Sequence, residues 1–383
     1  MKNNFIPYSC QNIDDDDIQA VVDVLKSDWL TTGPMVGQFE DDISKFCGCK
    51  FAVAVSSGTA ALHTAMYAIG LKPGDEVIVP SMTFASTANC IVFFGATPVY
   101  CDVDPDTLLI DTDDVYDKIT DKTKAIIVVD YAGQPCEYAI LKYLAKINNL
   151  VLVADACHSL GGSYEGENVG SNLADISVFS FHAVKNITTG EGGMVVTNNE
   201  LFYERSKIFR NHGITTDHRE RQKKGSWFYE MVDLGFNYRI TDIQCALGIS
   251  QLKKITTFVK KRNDIAEKYN DFFCDISEME PLLRVKGTKH AYHLYVVKCQ
   301  SAELRKHMFS YLRDNQIGVN VHYIPVHLHP YYQKEFGTHD GMLKNSESAY
   351  KRILSLPVFP HMTDKQFYRV VDVIRKGIYE YNK

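Results

Sequence analysis

The sequence lacks any apolar run that approaches the roughly 18 residues needed to cross a bilayer. Its first residues, MKNNFIP, have no apolar core of the signal-peptide type, so we expect a cytoplasmic protein. Basic residues are not in excess, because 41 Lys and Arg stand against 47 Asp and Glu, a net charge of -6. We therefore expect neither nucleic acid nor a membrane as a partner, and any phosphate site must be a local feature.

Metal-site spacing is also missing. The ten cysteines are scattered through apolar segments, which predicts reduced thiols that act as small hydrophobic side chains. Cys47 and Cys49 have no second Cys or His pair at zinc-site spacing. His322, His327 and His329 share one segment, but no carboxylate or thiolate lies nearby in the sequence. We predict no metal centre, and a substrate-lining loop is the preferred interpretation of the histidine segment.

The order of apolar segments predicts an α/β fold. From residue 51, short and continuously apolar segments alternate with helical patterns, which is typical of strands buried on both faces of a mostly parallel sheet. From about residue 250, a long helix and a new series of elements indicate a smaller α+β domain. We predict domains over residues 1–250 and 251–383, with residues 1–12 packing with the second. Among the predicted strands are 151–154, 176–181, 290–298 and 319–324.

Two charged residues stand at the ends of predicted strands. Asp155 ends the strand over 151–154, and Lys185 follows the strand over 176–181, just before a Gly-rich turn. Desolvation disfavours an ammonium, so a lysine at such a point loses its proton easily and its amine can form a Schiff base. An aspartate can pair with a pyridinium nitrogen. Pyridoxal phosphate needs these two groups from a protein, so the sequence predicts this cofactor.

A phosphate site is predicted where a strand turns into a helix. Ser57, Gly58 and Thr59 separate the apolar segment 51–55 from a helical pattern. Free amides at a helix N-terminus, together with hydroxyls, can hold a phosphate, and Ser180 can add another hydroxyl. A turn of small residues that caps a helix without any ligand is at least as common. The phosphate interpretation gains weight from the aspartate and lysine downstream.

Four further residues have both a functional and a structural interpretation. Phe84 could stack on a flat cofactor ring or pack in the core. His158 could bond the cofactor or the aspartate three residues before it, although an isolated histidine there is more often structural. Asn237 and Arg239 precede an apolar helix. They could reach a phosphate, in the same subunit or across a dimer interface, or could serve as a cap and a salt-bridge partner.

Taken together, the motifs resemble the DegT/DnrJ/EryC1/StrS family of sugar aminotransferases, a branch of the fold-type I pyridoxal-phosphate enzymes. The resemblance covers nearly the whole chain and rests on SSGTAALH, GDEVIVPSMTF, DACHSLG, FSFHAVKNITTGEGGM, GFNYRITDIQCALG and VHYIPVHLHPYY. The segments SDWLTTGP, YAGQPC and HYIPVHLHPYY look closest to the transaminases of pseudaminic acid biosynthesis. The resemblance implies pyridoxal 5'-phosphate as cofactor, L-glutamate as amino donor, a UDP-linked keto sugar as acceptor, and a homodimer.

The resemblance also implies roles for single residues. Lys185 would bond the cofactor aldehyde and transfer protons, Asp155 would bind the pyridinium nitrogen, and His158 would sit near the ring hydroxyl. Phe84 would stack on the ring. The implied phosphate contacts are Ser57, Gly58, Thr59, Ala60 and Ser180, with Asn237 of the partner subunit. The expected substrate contacts are Trp29, Glu191, Arg239, His322 and Tyr323.

Two alternatives stay open at this point. The first is the same chemistry on another 4-keto or 3-keto nucleotide sugar or a keto-cyclitol, which residues near Trp29, His212 and His322 would decide. The second is a pyridoxal-phosphate-binding regulator without turnover, but such proteins usually carry a DNA-binding domain and this chain is acidic. One branch of the family has His in place of the lysine and dehydrates sugars, which Lys185 argues against. Residues 214–226 are polar and predict a mobile loop near the site.

Overall fold

The computed structural model describes residues 5–216, 221 and 225–383 and has an α/β architecture around one seven-stranded sheet. The strands of the described residues are β1 (Phe51–Val55), β2 (Glu76–Pro80), β3 (Thr97–Cys101), β4 (Thr123–Val129), β5 (Val151–Asp155), β6 (Ser163–Tyr164), β7 (Glu167–Asn168), β8 (Ile176–Ser180), β9 (Gly193–Thr197), β10 (Met279–Pro281), β11 (Thr288–Lys289), β12 (Tyr295–Cys299) and β13 (Ile353–Leu356).

The large sheet is parallel except for one strand. Its order is β1-β9-β8-β5-β4-β2-β3, and only β9 runs antiparallel to its neighbours. The predicted mostly parallel, mixed sheet is thus confirmed. Because parallel strands end at the same edge, Val129 at the end of β4 lies beside Asp155 at the end of β5, and β8 ends two residues further along, at Ser180.

Helices cover both faces of this sheet, which explains its apolar strands. Ile126 and Leu152 belong to the core on one face, and their neighbours Ile127 and Val153 belong to the core on the other. The α-helices of the described residues are α1 (Asp15–Leu25), α2 (Pro34–Cys47), α3 (Gly58–Ala68), α4 (Ala85–Val92), α5 (Thr112–Asp117), α6 (Tyr138–Ile147), α7 (Glu200–Arg210), α8 (Asp242–Leu252), α9 (Ile255–Phe273), α10 (Ala302–Asp314), α11 (Pro330–Phe336), α12 (Lys344–Arg352) and α13 (Asp364–Tyr381). Within the described ranges, none of the helices is both long and apolar enough for a membrane span.

The C-terminal part has a core of its own. Strands β10, β12 and β13 form an antiparallel sheet that packs with α9, α10 and α13. Ile6 belongs to the same core, and its N–H donates to the carbonyl of Gln316 at 2.9 Å. The predicted boundary between residues 250 and 251 falls in the last turn of α8. The division into domains stays a prediction.

Two predicted strands differ from the structure. The segment 319–324 is not a strand and makes one isolated bridge, between Asn320 and Ser355. The reason is local, because the Asn320 side chain accepts the N–H of Val321 at 2.9 Å and so replaces a ladder bond. The strand predicted over 290–298 begins only at Tyr295, since residues 291 and 294 donate to the loop that follows β4 instead.

Candidate active site

A cavity of about 560 Å³ lies beyond the carboxyl ends of β4, β5 and β8. This is the edge at which parallel sheets bind ligands, and the volume is typical of a small-molecule site. Eleven of the residues predicted from the sequence line it: Ser57, Gly58, Thr59, Phe84, Asp155, His158, Ser180, Glu191, Lys185, His322 and Tyr323. The predicted strand ends therefore bring these side chains together, although the chain separates them by up to about 270 residues.

Lys185 lies on the turn between β8 and β9. Its own N–H donates to the carbonyl of His182 at 2.9 Å, which fixes the backbone of the turn. Burial lowers the pKa of Lys185 below its ordinary value of 10.5, while Cys157 and Asp155 oppose the shift. Desolvation thus makes the neutral, nucleophilic amine more accessible than it is for a lysine in water.

Asp155 ends β5 with its carboxylate held in one orientation. Its Oδ2 atom accepts the hydroxyl of Thr87 at 2.7 Å, and its Oδ1 atom accepts the N–H of Cys157 at 3.3 Å. Thr87 in turn shares a hydrogen bond of 2.8 Å with Thr83. Asp155 is only 6% exposed and lines the cavity, so the carboxylate is available to one ligand atom rather than to bulk water.

The predicted phosphate site is a tight turn between β1 and α3. Gly58 begins α3, and a Cβ atom placed there would lie 2.8 Å from the Cβ atom of Ser180. A Cβ atom at Gly193 would likewise collide with the carbonyl of Ser57. The two glycines therefore let the Ser57 turn approach β8 and β9. Ala60 does not line the cavity, because its N–H donates to Ser57 Oγ at 3.1 Å as a helix cap.

His158 and Phe84 occupy the walls of the cavity. The Nε2 atom of His158 lies 3.1 Å from the hydroxyl of Tyr323, and its Nδ1 atom has no partner among the residues described. Burial and the charge of Lys185 hold the pKa of His158 well below its ordinary value of 6.5, so the ring is neutral. Phe84 is 59% exposed, which excludes the core-packing interpretation, and its ring centroid lies 5.9 Å from that of Tyr323.

Besides Ala60, three predicted residues lie outside this cavity. Trp29 lines a separate open groove, with a volume of about 680 Å³, between α1 and α8. Arg239 donates to Asn211 Oδ1 at 2.8 Å and lines a small pocket beside α7. Asn237 is exposed and pairs with Asn211 in an isolated bridge. One copy of the chain therefore does not bring these three to the other eleven.

The predicted loop over residues 214–226 is only partly described, because residues 217–220 and 222–224 lie outside the described residues. At its base, the N–H of Thr215 donates to the carbonyl of Glu230 at 3.0 Å.

Several residues that line the cavity were not predicted from the sequence. They are Tyr8, Thr83, Ser86, Val129, Cys157, His182, Val184, His293, Asn320 and Val321. His293 is 3% exposed, and its ring centroid lies 4.5 Å from that of His158. Its place depends on how the C-terminal part packs against the sheet. Cys157 could have been found, because it follows Asp155 by two residues.

Comparison with known proteins identifies the class. Residues 11–375 match the DegT/DnrJ/EryC1/StrS aminotransferase family, and the chain belongs to this family. The spore coat polysaccharide biosynthesis protein SpsC of Bacillus subtilis is 40% identical over 380 residues, which are 98% of this chain and 97% of that protein.

Solved structures of similar proteins carry the cofactor. The putative sugar aminotransferase Spr1654 of Streptococcus pneumoniae in its PMP-form has a TM-score of 0.92 and 33% identity, covering 98% of this chain and 99% of its own, and a PLP-form is also known. Helicobacter pylori PseC, an aminotransferase involved in the biosynthesis of pseudoaminic acid, has a TM-score of 0.92 and 34% identity, covering 98% of this chain and 100% of its own.

The protein is therefore a pyridoxal-phosphate-dependent sugar aminotransferase with the fold-type I architecture. The predicted family, enzyme class and cofactor are confirmed. The cavity fits the cofactor on its own evidence, since it is lined by the Lys185 amine, the oriented Asp155 carboxylate and a turn at a helix N-terminus that two glycines allow to pack against Ser180.

Proposed function

We propose that this enzyme transfers an amino group from L-glutamate to C4 of UDP-2-acetamido-2,6-dideoxy-β-L-arabino-hex-4-ulose, in the biosynthesis of pseudaminic acid. The observation that carries the aminotransferase step is the meeting of Lys185 and Asp155 in one cavity. The choice of sugar is supported by the likeness to PseC over nearly the full length of both chains. The likeness to SpsC supports a role in the synthesis of a surface polysaccharide.

The catalytic roles follow from the positions of three side chains. When bound, pyridoxal phosphate supplies an aldehyde carbon and a ring that withdraws electrons from the carbon attached to it. Lys185 would hold this cofactor through its side-chain amine, and its Nζ atom would accept and return a proton as general base and acid. Asp155 would hold the ring nitrogen through the carboxylate that Thr87 and Cys157 orient. His158 is neutral and donates or accepts a hydrogen bond beside the ring hydroxyl, without adding charge.

The binding roles divide between the two ends of the cavity. Ser57, Gly58, Thr59 and Ser180 form the phosphate end, and Ala60 supports it as part of the cap of α3. Phe84 offers an exposed ring face for stacking on the cofactor. Glu191, His322 and Tyr323 line the same cavity, and we assign them to the amino donor and the sugar.

A second copy of the chain would complete the site. Large apolar side chains are exposed along residues 227–236, with Trp227 84% and Leu234 73% exposed. An exposed apolar surface of this kind marks an interaction site. Asn237 and Arg239 follow it directly, so a homodimer formed there would bring Asn237 of the partner subunit to the phosphate and Arg239 of the partner subunit to the sugar. Trp29 lies outside the cavity of one chain, so its proposed contact with the substrate would also require the partner subunit.

A different sugar is the second candidate. The relative with 40% identity is a spore coat polysaccharide biosynthesis protein, which favours amination of another nucleotide-linked 4-keto or 3-keto sugar for a polysaccharide. The cavity residues assigned above would perform the same step on either sugar.

Visible absorption distinguishes the candidates. Purified protein with bound cofactor is mixed with L-glutamate, desalted, and then mixed with the UDP-linked 4-keto sugar. We expect the visible band to disappear with glutamate and to return with the sugar. Loss without return would keep the aminotransferase and reject this sugar, and a dTDP-linked 4-keto sugar would then be added. No visible band, even after adding pyridoxal phosphate, would contradict the assignment of Lys185.

A further inference from the structure

His327 belongs to the three-histidine segment of the sequence, but it points away from the cavity. It is fully buried, between the end of β2 and helix α12. Its Nδ1 atom lies 2.6 Å from Ser81 Oγ, and its Nε2 atom lies 3.1 Å from Glu347 Oε1. Ser81 is 0% exposed and Glu347 is 5% exposed. We call these three residues the Ser81–His327–Glu347 network.

The hydrogen bonds around His327 determine which of its ring nitrogens carries the proton. The backbone N–H of His327 donates to Ser81 Oγ at 3.2 Å. The hydroxyl of Ser81 therefore has its own proton left to donate to Nδ1. That leaves the ring proton on Nε2, where it is donated to Glu347. Burial lowers the pKa of His327, although Glu347 opposes the shift, and the ring is neutral.

Glu347 is a buried carboxylate with several donors. Both of its oxygens accept the N–H of Gly341, at 2.8 and 2.9 Å, and Oε1 also accepts the N–H of Leu343 at 3.2 Å. Burial would raise the pKa of Glu347, but the bonds from Gly341, His327 and Leu343 outweigh it and bring the pKa to about 2. The network is thus a neutral ring between a hydroxyl and an anion, with every polar atom partnered.

The order Ser, His and Glu resembles the triad of a hydrolase, but these residues have no catalytic access. Ser81 is 0% exposed, and its oxygen is already shared between two groups of His327. A nucleophile needs a route to its substrate and a free lone pair directed at it. The network therefore acts through other residues.

The network joins two walls of the cavity. Ser81 directly precedes the turn that carries Thr83 and Phe84. His327 follows His322 and Tyr323 on the opposite wall. The carbonyl of Ser81 also accepts the N–H of Val326 at 2.9 Å, one residue before His327. The hydrogen bonds of Ser81 with His327 and Val326 thus determine the distance between the two walls.

The geometry points to Ser81 and His327 as positioning residues of this aminotransferase. Their hydrogen bond holds the Phe84 wall and the Tyr323 wall at the distance that the cofactor and the sugar require. The bond between His327 and Glu347 has a separate task, which is to stabilise the fold.

Two substitutions of His327 separate these tasks. In His327→Asn the side-chain oxygen replaces Nδ1 and keeps the bond to Ser81, but the bond to Glu347 is lost. In His327→Gln the amide nitrogen replaces Nε2 and keeps the bond to Glu347, but the bond to Ser81 is lost. Ser81→Ala removes the same bond from the other side. Ser206→Ala is the matched control, because Ser206 is equally buried and its hydroxyl donates to the carbonyl of Phe202 within α7.

Three quantities are measured for each variant: the dissociation constant of pyridoxal phosphate for the apo-protein, KM and kcat for the keto sugar, and the melting temperature. We expect Ser81→Ala and His327→Gln to raise the dissociation constant and KM about fivefold, as the loss of one hydrogen bond allows, with kcat little changed. His327→Asn keeps both constants near those of the unmodified enzyme but melts at the lowest temperature of the series.

The positioning role is overturned if the dissociation constant and KM rise in proportion to the loss of melting temperature across the variants. It is also overturned if Ser81→Ala and Ser206→Ala have the same dissociation constant and KM. Should His327→Gln not fold, Ser81→Ala and His327→Asn still decide, because the first must change affinity and the second stability. The KM readout rests on the proposed sugar. The pyridoxal phosphate readout does not, so a wrong sugar leaves no turnover in any variant while the affinities still distinguish them.

Discussion

The cavity and the Ser81–His327–Glu347 network are both buried polar clusters, and they differ in how completely their atoms are paired. In the network each polar atom has a partner. In the cavity, the Nδ1 atom of His158 has none among the described residues, and the amine of Lys185 is desolvated rather than paired with a carboxylate. An unpaired buried polar group costs about 1–3 kcal/mol, which a bound ligand can offset by supplying the missing partner. Substitutions in the cavity should therefore change catalysis, and removal of the Glu347 carboxylate from the network should change stability.

The largest expected effect is on the cavity side. Lys185→Ala should reduce turnover by about 10³-fold or more, because it removes both the attachment point and the proton carrier. The melting temperature should stay equal or rise, since a desolvated amine is lost. Steady-state amine transfer and thermal unfolding measure the two effects. Lys185→Arg is the control that retains the charge and should be equally inactive, and normal turnover in either variant would contradict the mechanism.

Asp155→Ala should be the next most damaging. Without the carboxylate, we expect about a 10²-fold lower rate and a raised dissociation constant for pyridoxal phosphate, with little change in stability. Cofactor titration of the apo-protein gives the affinity. Asp155→Asn keeps the shape of the side chain and the bond from Thr87, so a restored rate in that variant would show that the charge is not required.

On the network side, Glu347→Ala should destabilise the fold by about 3 kcal/mol. The N–H groups of Gly341 and Leu343 and the ring N–H of His327 would all lose their acceptor. Urea unfolding measures the change. Glu335→Ala, which removes an exposed carboxylate, is the control and should alter stability by less than about 0.5 kcal/mol. An equal loss of stability in Glu347→Ala and Glu335→Ala would contradict the stabilising role of the network.

The same carboxylate predicts a dependence on pH. The pKa of Glu347 falls from 4.5 to about 2 on folding, so its stabilisation is present above pH 4.5 and is lost as the pH falls toward 2. The free energy of unfolding of the unmodified protein should therefore fall more steeply with decreasing pH over this window than that of Glu347→Gln. If the free energies of unfolding of the two proteins change equally with pH, Glu347 has the same pKa in the folded and unfolded states and this prediction is wrong.

The smallest effect should come from Phe84→Ala. Because this ring is 59% exposed, its loss should change stability by less than about 0.5 kcal/mol. Cofactor affinity should fall severalfold if the ring stacks on pyridoxal phosphate. Fluorescence titration measures this, and Phe93→Ala, at an equally exposed ring outside the cavity, is the control. Unchanged affinity in Phe84→Ala would remove the stacking role.

The sequence was sufficient for the catalytic pair because their positions follow from local pattern. A continuously apolar segment predicts a buried parallel strand, and the residues after such strands meet at one edge, as Asp155 and Lys185 do. The strand predicted over 319–324 was wrong, because one Asn side chain satisfies the backbone there. His293 and His327 were not assignable, since their partners lie far away in the chain and the pairing follows from tertiary packing alone.

Gly58 and Gly193 have a consequence for anyone who would redesign this enzyme. Neither residue offers a side chain to a ligand, yet each is the reason that the phosphate turn, β8 and β9 can touch. Side chains on the Tyr323 wall can be exchanged to admit a different sugar, because that wall borders the open cavity. The phosphate turn has no such tolerance, because a side chain at Gly58 or Gly193 would collide with its neighbours, so the cavity can be enlarged at the Tyr323 wall but not at this turn.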